Sequence, residues 1–260
     1  MFSLKALDIY DVFKPLHFCS QLIGLTSFSM KYENGVHREV VKVFNIFLLL
    51  FTTVWNLSAI VLLLISTNEM WHVDLLKISG IFEKSMFCVI LTFLLVSTLT
   101  NWWIFLSRKK FTKLLNNFVK LDRNLNDLKV PVGLSKQKWI ILCLIISAKT
   151  LIYSGVIISD VAGRSDAAHG QSLYFMITMC ISIQMWIFVN CQFVYFMYSV
   201  KSRFEKINEF LAKTFLEVSE ESLPKGITEL KIASVLYDKL VDICENINRC
   251  YGLPVSSKMT

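Results

Sequence analysis

Four stretches of this chain run for 20 residues or more with at most one charged side chain, and they limit what it can become. Val43–Ile65 is 23 residues without a charge. At ~1.5 Å per residue such a helix is about 34 Å long, enough to cross a hydrocarbon core of roughly 30 Å. The second run is 85–107, and the third is 139–158, interrupted only by Lys149. The fourth, 170–200, extends for 31 residues, so its helix is expected to tilt or to project from the bilayer. These runs are too long for buried strands, and a β-barrel would show short alternating segments instead. One such run could be a buried helix of a soluble protein. Four in 260 residues point to a polytopic, all-α membrane helix bundle. Composition agrees, with only 18% charged residues and a mean hydropathy of +0.53; soluble domains average about a quarter charged.

The spans divide the chain into ten segments. An amino segment, 1–42, leads into the first span, 43–65, an outer loop, 66–84, and the second span, 85–107. A basic loop, 108–138, precedes the third span, 139–158, an outer loop, 159–170, and the fourth span, 171–200. A helical hairpin, 201–255, and a short tail, 256–260, complete it. The amino segment, basic loop and residues 201–260 hold 23 Lys and Arg residues; the two outer loops hold 3. The positive-inside rule therefore places the amino end and residue 260 in the cytoplasm. Attraction to the anionic inner leaflet accounts for the net charge of +7 without nucleic acid. The amino end lacks the continuous apolar core of a cleavable signal, so the first span is expected to act as the signal.

After residue 200 the pattern turns amphipathic. Phe204, Ile207, Leu211, Phe215 and Val218 recur at helical spacing. Lys201, Arg203, Glu205, Lys206, Glu209 and Lys213 fill the other face. Pro224-Lys225-Gly226 is expected to break this helix, and Thr228 to cap a second one. The second apolar stripe is Leu230, Ala233, Tyr237, Leu240, Ile243 and Ile247. Both stripes need covering, by each other, by the basic loop or by other subunits.

Catalytic and metal signatures are missing. The seven cysteines form no CxxC, and free thiols are expected. The four histidines lack ligand spacing, so no metal and no cofactor is expected. No GxSxG, HExxH, phosphate loop or GxGxxG occurs, so the chain does not read as an enzyme. The glycosylation sequon Asn56-Leu57-Ser58 lies inside the first span. Lys149 is the charge within a span; a central Lys costs roughly 2.5–3.5 kcal/mol on insertion scales. It should face the bundle or a water-filled cavity. Tyr153 lies one turn outward, and Gln184 is near the middle of the fourth span. Lys149, Tyr153 and Gln184 are the candidate ligand-binding residues, for a small polar or amphiphilic molecule. A snorkelling Lys149 and an interhelical Gln184 are the plainer alternative. Asn190 and Gln192 read as packing polars, and Trp102, Trp103 and Trp139 as interfacial anchors.

Particular segments carry a family resemblance. Phe13-Lys14-Pro15-Leu16 and Gln21-Leu22-Ile23-Gly24-Leu25-Thr26-Ser27-Phe28 precede the first span. Leu236-Tyr237-Asp238-Lys239-Leu240, Ile243-Cys244-Glu245-Asn246-Ile247-Asn248 and Tyr251-Gly252 follow the fourth. With the inward amino end, basic second loop and long fourth span, they resemble the insect gustatory receptor family over about 1–255. That resemblance implies a tastant-gated cation channel of sensory neurons, in the plasma membrane, assembled as a homo- or hetero-tetramer. It implies seven spans, with a seventh helix that lines the pore and carries a TY…QF-type signature. The chain resembles the first four helices and the cytoplasmic hairpin that leads to a fifth. It is therefore expected to be a truncated isoform, an incomplete gene model or a fragment. Two other readings stay open: a non-conducting accessory four-span protein, and a small transporter using Lys149. The expected partners are the lipid bilayer, a small-molecule tastant and full-length receptor subunits.

Overall fold

A computed structural model of the chain describes residues 9–22, 24–33, 35–70, 78–128, 130, 132–134, 137–142, 144–146, 149, 169–217 and 223–251. The elements in order are α1 (Ile9–Leu22), β1 (Ser29–Glu33), β2 (Val36–Val40), α2 (Val43–Met70), α3 (Ile78–Leu106) and α4 (Arg108–Asp127). They continue with α5 (Gln137–Ile146), α6 (His169–Glu217) and α7 (Leu223–Tyr251).

Among the described residues, three helices are long and apolar enough to cross a membrane: Val43–Ile65 within α2, Phe87–Leu106 within α3 and Cys180–Leu216 within α6. Helix α2 packs on α3 around the small cluster of Ala59, Ile60 and Leu94, and α3 packs in turn on α6. Most apolar side chains of these spans point outward, among them Phe47, Val54, Val61 and Leu99. In a bilayer, lipid would cover them. The expected third span begins as the short apolar helix α5; most of 147–158 lies outside the described residues.

The remaining elements form a second layer, here termed the basic body. It comprises α1, the β1–β2 hairpin, α4, α7 and the carboxyl half of α6. Its core is aromatic. Phe196 of α6 lies with ring centroids 5.1 Å from Phe13 of α1, 5.6 Å from Phe111 and 5.9 Å from Phe118 of α4. Helix α1 supplies Ile9, Val12, Phe13 and Leu16, whose spacing of three and one makes a single face. Helix α4 supplies Phe111, Leu114, Leu115, Phe118 and Leu125 while turning Lys109, Lys113 and Lys120 outward. Most of the basic loop is thus an ordered amphipathic helix. Its positive charges hide an apolar stripe at helical spacing.

Two local features order the amino segment, one against a span and the other against α4. Gly24 has φ +77°, a conformation that L side chains avoid. A Cβ there would lie 2.7 Å from Thr52 Cγ2 of α2. The hairpin pairs Ser29 with Val40 through Glu33 with Val36, and Gly35 at φ +79° forms its turn. Asn116 of α4 then acts as a third strand edge. Its Oδ1 accepts from the His37 N–H, and its Nδ2 donates to the His37 carbonyl, both at 2.9 Å.

Helix α6 runs unbroken for 49 residues, roughly 74 Å at the ordinary rise. The amphipathic segment does continue the fourth span, as its periodicity requires. The start of α7 differs from expectation. Pro224 lies in its first turn and Thr228 inside the helix, not at its cap. The ring fixes φ near its helical value, and the missing N–H is one the first turn leaves unbonded anyway. Ala233, Leu240, Ile243 and Ile247 are buried against the core, whereas Leu230 and Phe215 stay exposed. Tyr237 OH donates to Asn208 Oδ1, tying α7 to α6.

Candidate functional site

Polar side chains gather where α3 crosses α6. Thr178, Ser182 and Met185 follow at spacings of four and three, so they share one face of α6. All three are buried. That face meets Ser97 and Asn101 of α3, one turn apart. Ser97 Oγ and Asn101 Nδ2 both donate to Met185 Sδ at 3.3 Å, and a thioether is a weak acceptor. Asn101 Oδ1 and Ser182 Oγ are buried without a hydrogen-bond partner. Each such group carries a cost of about 1–3 kcal/mol until something satisfies it.

A groove of about 340 Å³ opens beside them between α3 and α6. Its walls are Cys88, Val89, Thr92, Phe93, Val96 and Trp186. Phe93, Val96 and Trp186 also border a smaller cleft that ends on Ser97, Thr100 and Ser182. Apolar walls over a few convergent polar groups are the usual make-up of a small-molecule site. Helix α2 braces the arrangement. Trp55 Nε1 donates to Thr178 Oγ1 at 3.0 Å, Asn56 Nδ2 to Thr98 Oγ1 at 3.1 Å, and Trp102 Nε1 to Thr53 Oγ1 at 3.2 Å. Asn56, the sequon residue, is therefore buried between helices.

Of the residues expected to bind ligand, Gln184 and Lys149 do not line this groove. Gln184 is half-buried and shares a stripe with Phe188, Cys191 and Tyr195, about 100° round the helix from Met185. Lys149 is exposed, and its charge reaches Cys19 at the end of α1. Burial pushes the Cys19 thiol up, and the Lys149 ammonium opposes that shift. Tyr153 lies outside the described residues, and no described contact joins Lys149 to Gln184. Ser182, Met185, Trp186 and Asn101 were missed. Their signal was present as two stripes, 97/101 and 178/182/185. One polar residue among Leu and Phe reads as packing until the partner stripe is known.

A second polar chain joins the spans to the basic body. Tyr251 OH donates to Gln192 Oε1 at 3.0 Å, and Gln192 Nε2 donates to Ser20 Oγ at 2.8 Å. Trp103 Nε1 donates to the Cys250 carbonyl at 3.0 Å. Helices α1, α3, α6 and α7 thus meet at one joint. Burial raises the Tyr251 phenol well above its ordinary value, so it stays a donor. Burial likewise raises the Cys250 thiol, to about 11, against the opposing charge of Lys110. Gln192 is a packing polar, as expected; Asn190 is exposed and bonds its own helix at the Trp186 carbonyl. Trp139 is largely exposed, whereas the indoles of Trp102 and Trp103 are used within the chain. The described cysteines are free thiols, as expected.

The sequence model of the 7tm chemosensory receptor family matches residues 13–259, from within α1 to beyond α7. The chain belongs to that family. Membership and the long apolar helices agree: this chemosensory receptor is a membrane helix bundle. No curated protein matches the receptor.

Proposed function

We propose that this chemosensory receptor is a gustatory receptor subunit, contributing to a tastant-gated cation channel of sensory neurons. It sits in the plasma membrane with its amino end and residue 260 in the cytoplasm. The observation that carries the reading is the apolar α3–α6 groove, which shares Phe93, Val96 and Trp186 with a small cleft ending on the unsatisfied Ser182 Oγ. A ligand with an apolar body and a hydrogen-bonding group would fill the walls and satisfy Ser182. On the positive-inside orientation the groove lies in the outer half of the membrane. Lys149, Tyr153 and Gln184 form a second polar set for the same ligand. Phe215, Leu216, Ile227 and Val235 leave an exposed apolar surface on α6 and α7, which supports assembly with full-length subunits into a tetramer. The pore helix implied by the family resemblance supplies conduction.

The test is calcium imaging of cells expressing the full receptor frame that contains this chain, against sugars and bitter compounds. Trp186→Ala and Ser182→Ala are expected to raise the half-maximal concentration about tenfold, the effect of ~1.4 kcal/mol. Unchanged responses in both variants, with loss in Lys149→Met, would move the site to the Lys149 set. Silence toward every tastant class from a correctly inserted channel would sink the gustatory reading.

A further inference from the structure

A larger cavity lies away from the groove, in the basic body. A cleft of about 680 Å³ runs between α1, the β1–β2 hairpin and α4. Lys14 of α1, Lys31 of β1 and Arg123 of α4 reach its walls from three separate elements. Three rings form a ladder along it. The His37 ring lies 4.7 Å from that of Tyr10 and 5.0 Å from that of Tyr32.

Two carboxylates also border the cleft. Asp122 accepts from Arg203 Nε at 2.7 Å and Nη2 at 2.6 Å. Asp11 is the other. Lys31 pairs with Glu33 at 2.7 Å, but that pair is solvated and worth little. Lys14 and Arg123 therefore outweigh Asp11. Among the described residues, the Arg123 guanidinium makes two long bonds, to Tyr32 Oη at 3.3 Å and the Gly35 carbonyl at 3.2 Å. It has N–H donors to spare.

Convergent cations select an anion, and Arg and Lys suit phosphate. Flat rings beside them select a flat organic ring, as aromatic side chains do with bases. We propose that this cleft binds a nucleoside phosphate. The phosphate contacts Lys14 and Arg123, and the base packs on the exposed ring of Tyr32, with His37 buried behind it. The volume falls within the roughly 300–1,000 Å³ of small-molecule sites. Asp122 is both cleft wall and counter-ion to Arg203, so occupancy bears directly on α6. On the positive-inside orientation the ligand comes from the cytosol; the site itself does not depend on the gustatory reading.

The test is binding of radiolabelled ATP to the full chain in nanodiscs of zwitterionic lipid. Both faces are open there, so an error of orientation cannot mimic failure of the site. Saturable binding is expected, weakened at least about tenfold by K14Q with R123Q, a loss of ~1.4 kcal/mol that charge-assisted bonds can supply. Tyr32→Leu is expected to weaken ATP several-fold while leaving competition by inositol hexakisphosphate unchanged. Circular dichroism melts matching the parent chain establish that the variants fold. Absence of saturable binding, or binding indifferent to K14Q/R123Q, overturns the proposal. Preference for inositol hexakisphosphate, or binding confined to phosphoinositide-containing discs, overturns the nucleoside assignment.

Discussion

Along α2, Phe47, Leu50, Val54 and Val61 stand exposed; in the basic body, Phe13, Phe28, Phe118 and Phe196 are shut away completely. The same residue types do different work in the two regions. In water, burying apolar area drives folding at about 25 cal/mol per Å². Against lipid that drive vanishes, since the surrounding tails are as apolar as Leu. The spans are held instead by a few cross-helix hydrogen bonds: Trp55 to Thr178, Asn56 to Thr98, Trp102 to Thr53. The body, having a dry core of its own, also buries charge. Arg203 is fully enclosed, lies 4.7 Å from the Phe118 ring, and donates to Asp122 and the Ser199 carbonyl. The lesson is that stability should concentrate in the basic body, with the spans tolerant of single losses.

The largest expected effect tests that directly. Arg203→Met leaves Asp122 without its buried partner, and breaking such pairs costs about 3–5 kcal/mol. Surface delivery of the receptor should collapse. Asp122→Leu combined with Arg203→Met should recover most of it, because removing both charges leaves nothing stranded. Trafficking measured by surface biotinylation decides the matter. A double variant as poor as the single one would show that the pair specifies packing beyond its charge balance.

The next effect is pH dependence at His17. Burial lowers this imidazole from 6.5 to about 4, with the Phe28 carbonyl opposing. Its ring sits among Phe13, Phe28 and Phe111. A base with a depressed folded pKa binds fewer protons folded than unfolded between those values. Its contribution is therefore complete above 6.5 and declines as pH falls toward about 4. The interval corresponds to roughly 3 kcal/mol at most. Denaturation midpoints of the purified chain at pH 7 and 5 should diverge, and His17→Phe should flatten that slope. An unchanged slope in the variant would place the acid sensitivity elsewhere.

These two predictions concern features with unequal legibility. The spans were readable because a charge-free run of 23 residues has few alternatives to a membrane helix. The continuation of α6 was readable from Phe204 and Ile207 at spacing of three. The amino segment was not: Phe13 and Leu16 look like a short polar-flanked patch until Phe196, far along the chain, is known to cover them. The Arg203–Asp122 pair hid in the same way. Each residue reads as one charge among many on an amphipathic face, and 81 positions separate them. The groove suffers equally, because Ser97 and Ser182 acquire meaning only from the crossing of their helices.

Gly24→Ala comes third, at about 2 kcal/mol, since a left-handed L residue costs roughly 1–2 kcal/mol before any clash. The clash here is with one methyl, Thr52 Cγ2. Adding Thr52→Ser removes that methyl and should recover only the steric part. Full recovery would show that the chain relaxes out of its positive φ. This joint belongs to both regions, because Gly24 sits in the body and Thr52 in a span.

The smallest effect is expected within the spans. Asn56→Leu removes one hydrogen bond to Thr98 Oγ1 and nothing more. Thr98 keeps its own donation to the Leu94 carbonyl at 2.8 Å, so no group is stranded. Interhelical hydrogen bonds in membranes average about 0.6 kcal/mol, with a maximum near 1.7. The added Leu also gains contacts with its neighbours. Unfolding followed in mixed micelles should thus show a loss under ~1 kcal/mol, several-fold below that of Arg203→Met. A loss as large as that of Arg203→Met would erase the contrast. It would mean that the spans, like the body, depend on a few polar contacts that cannot be spared.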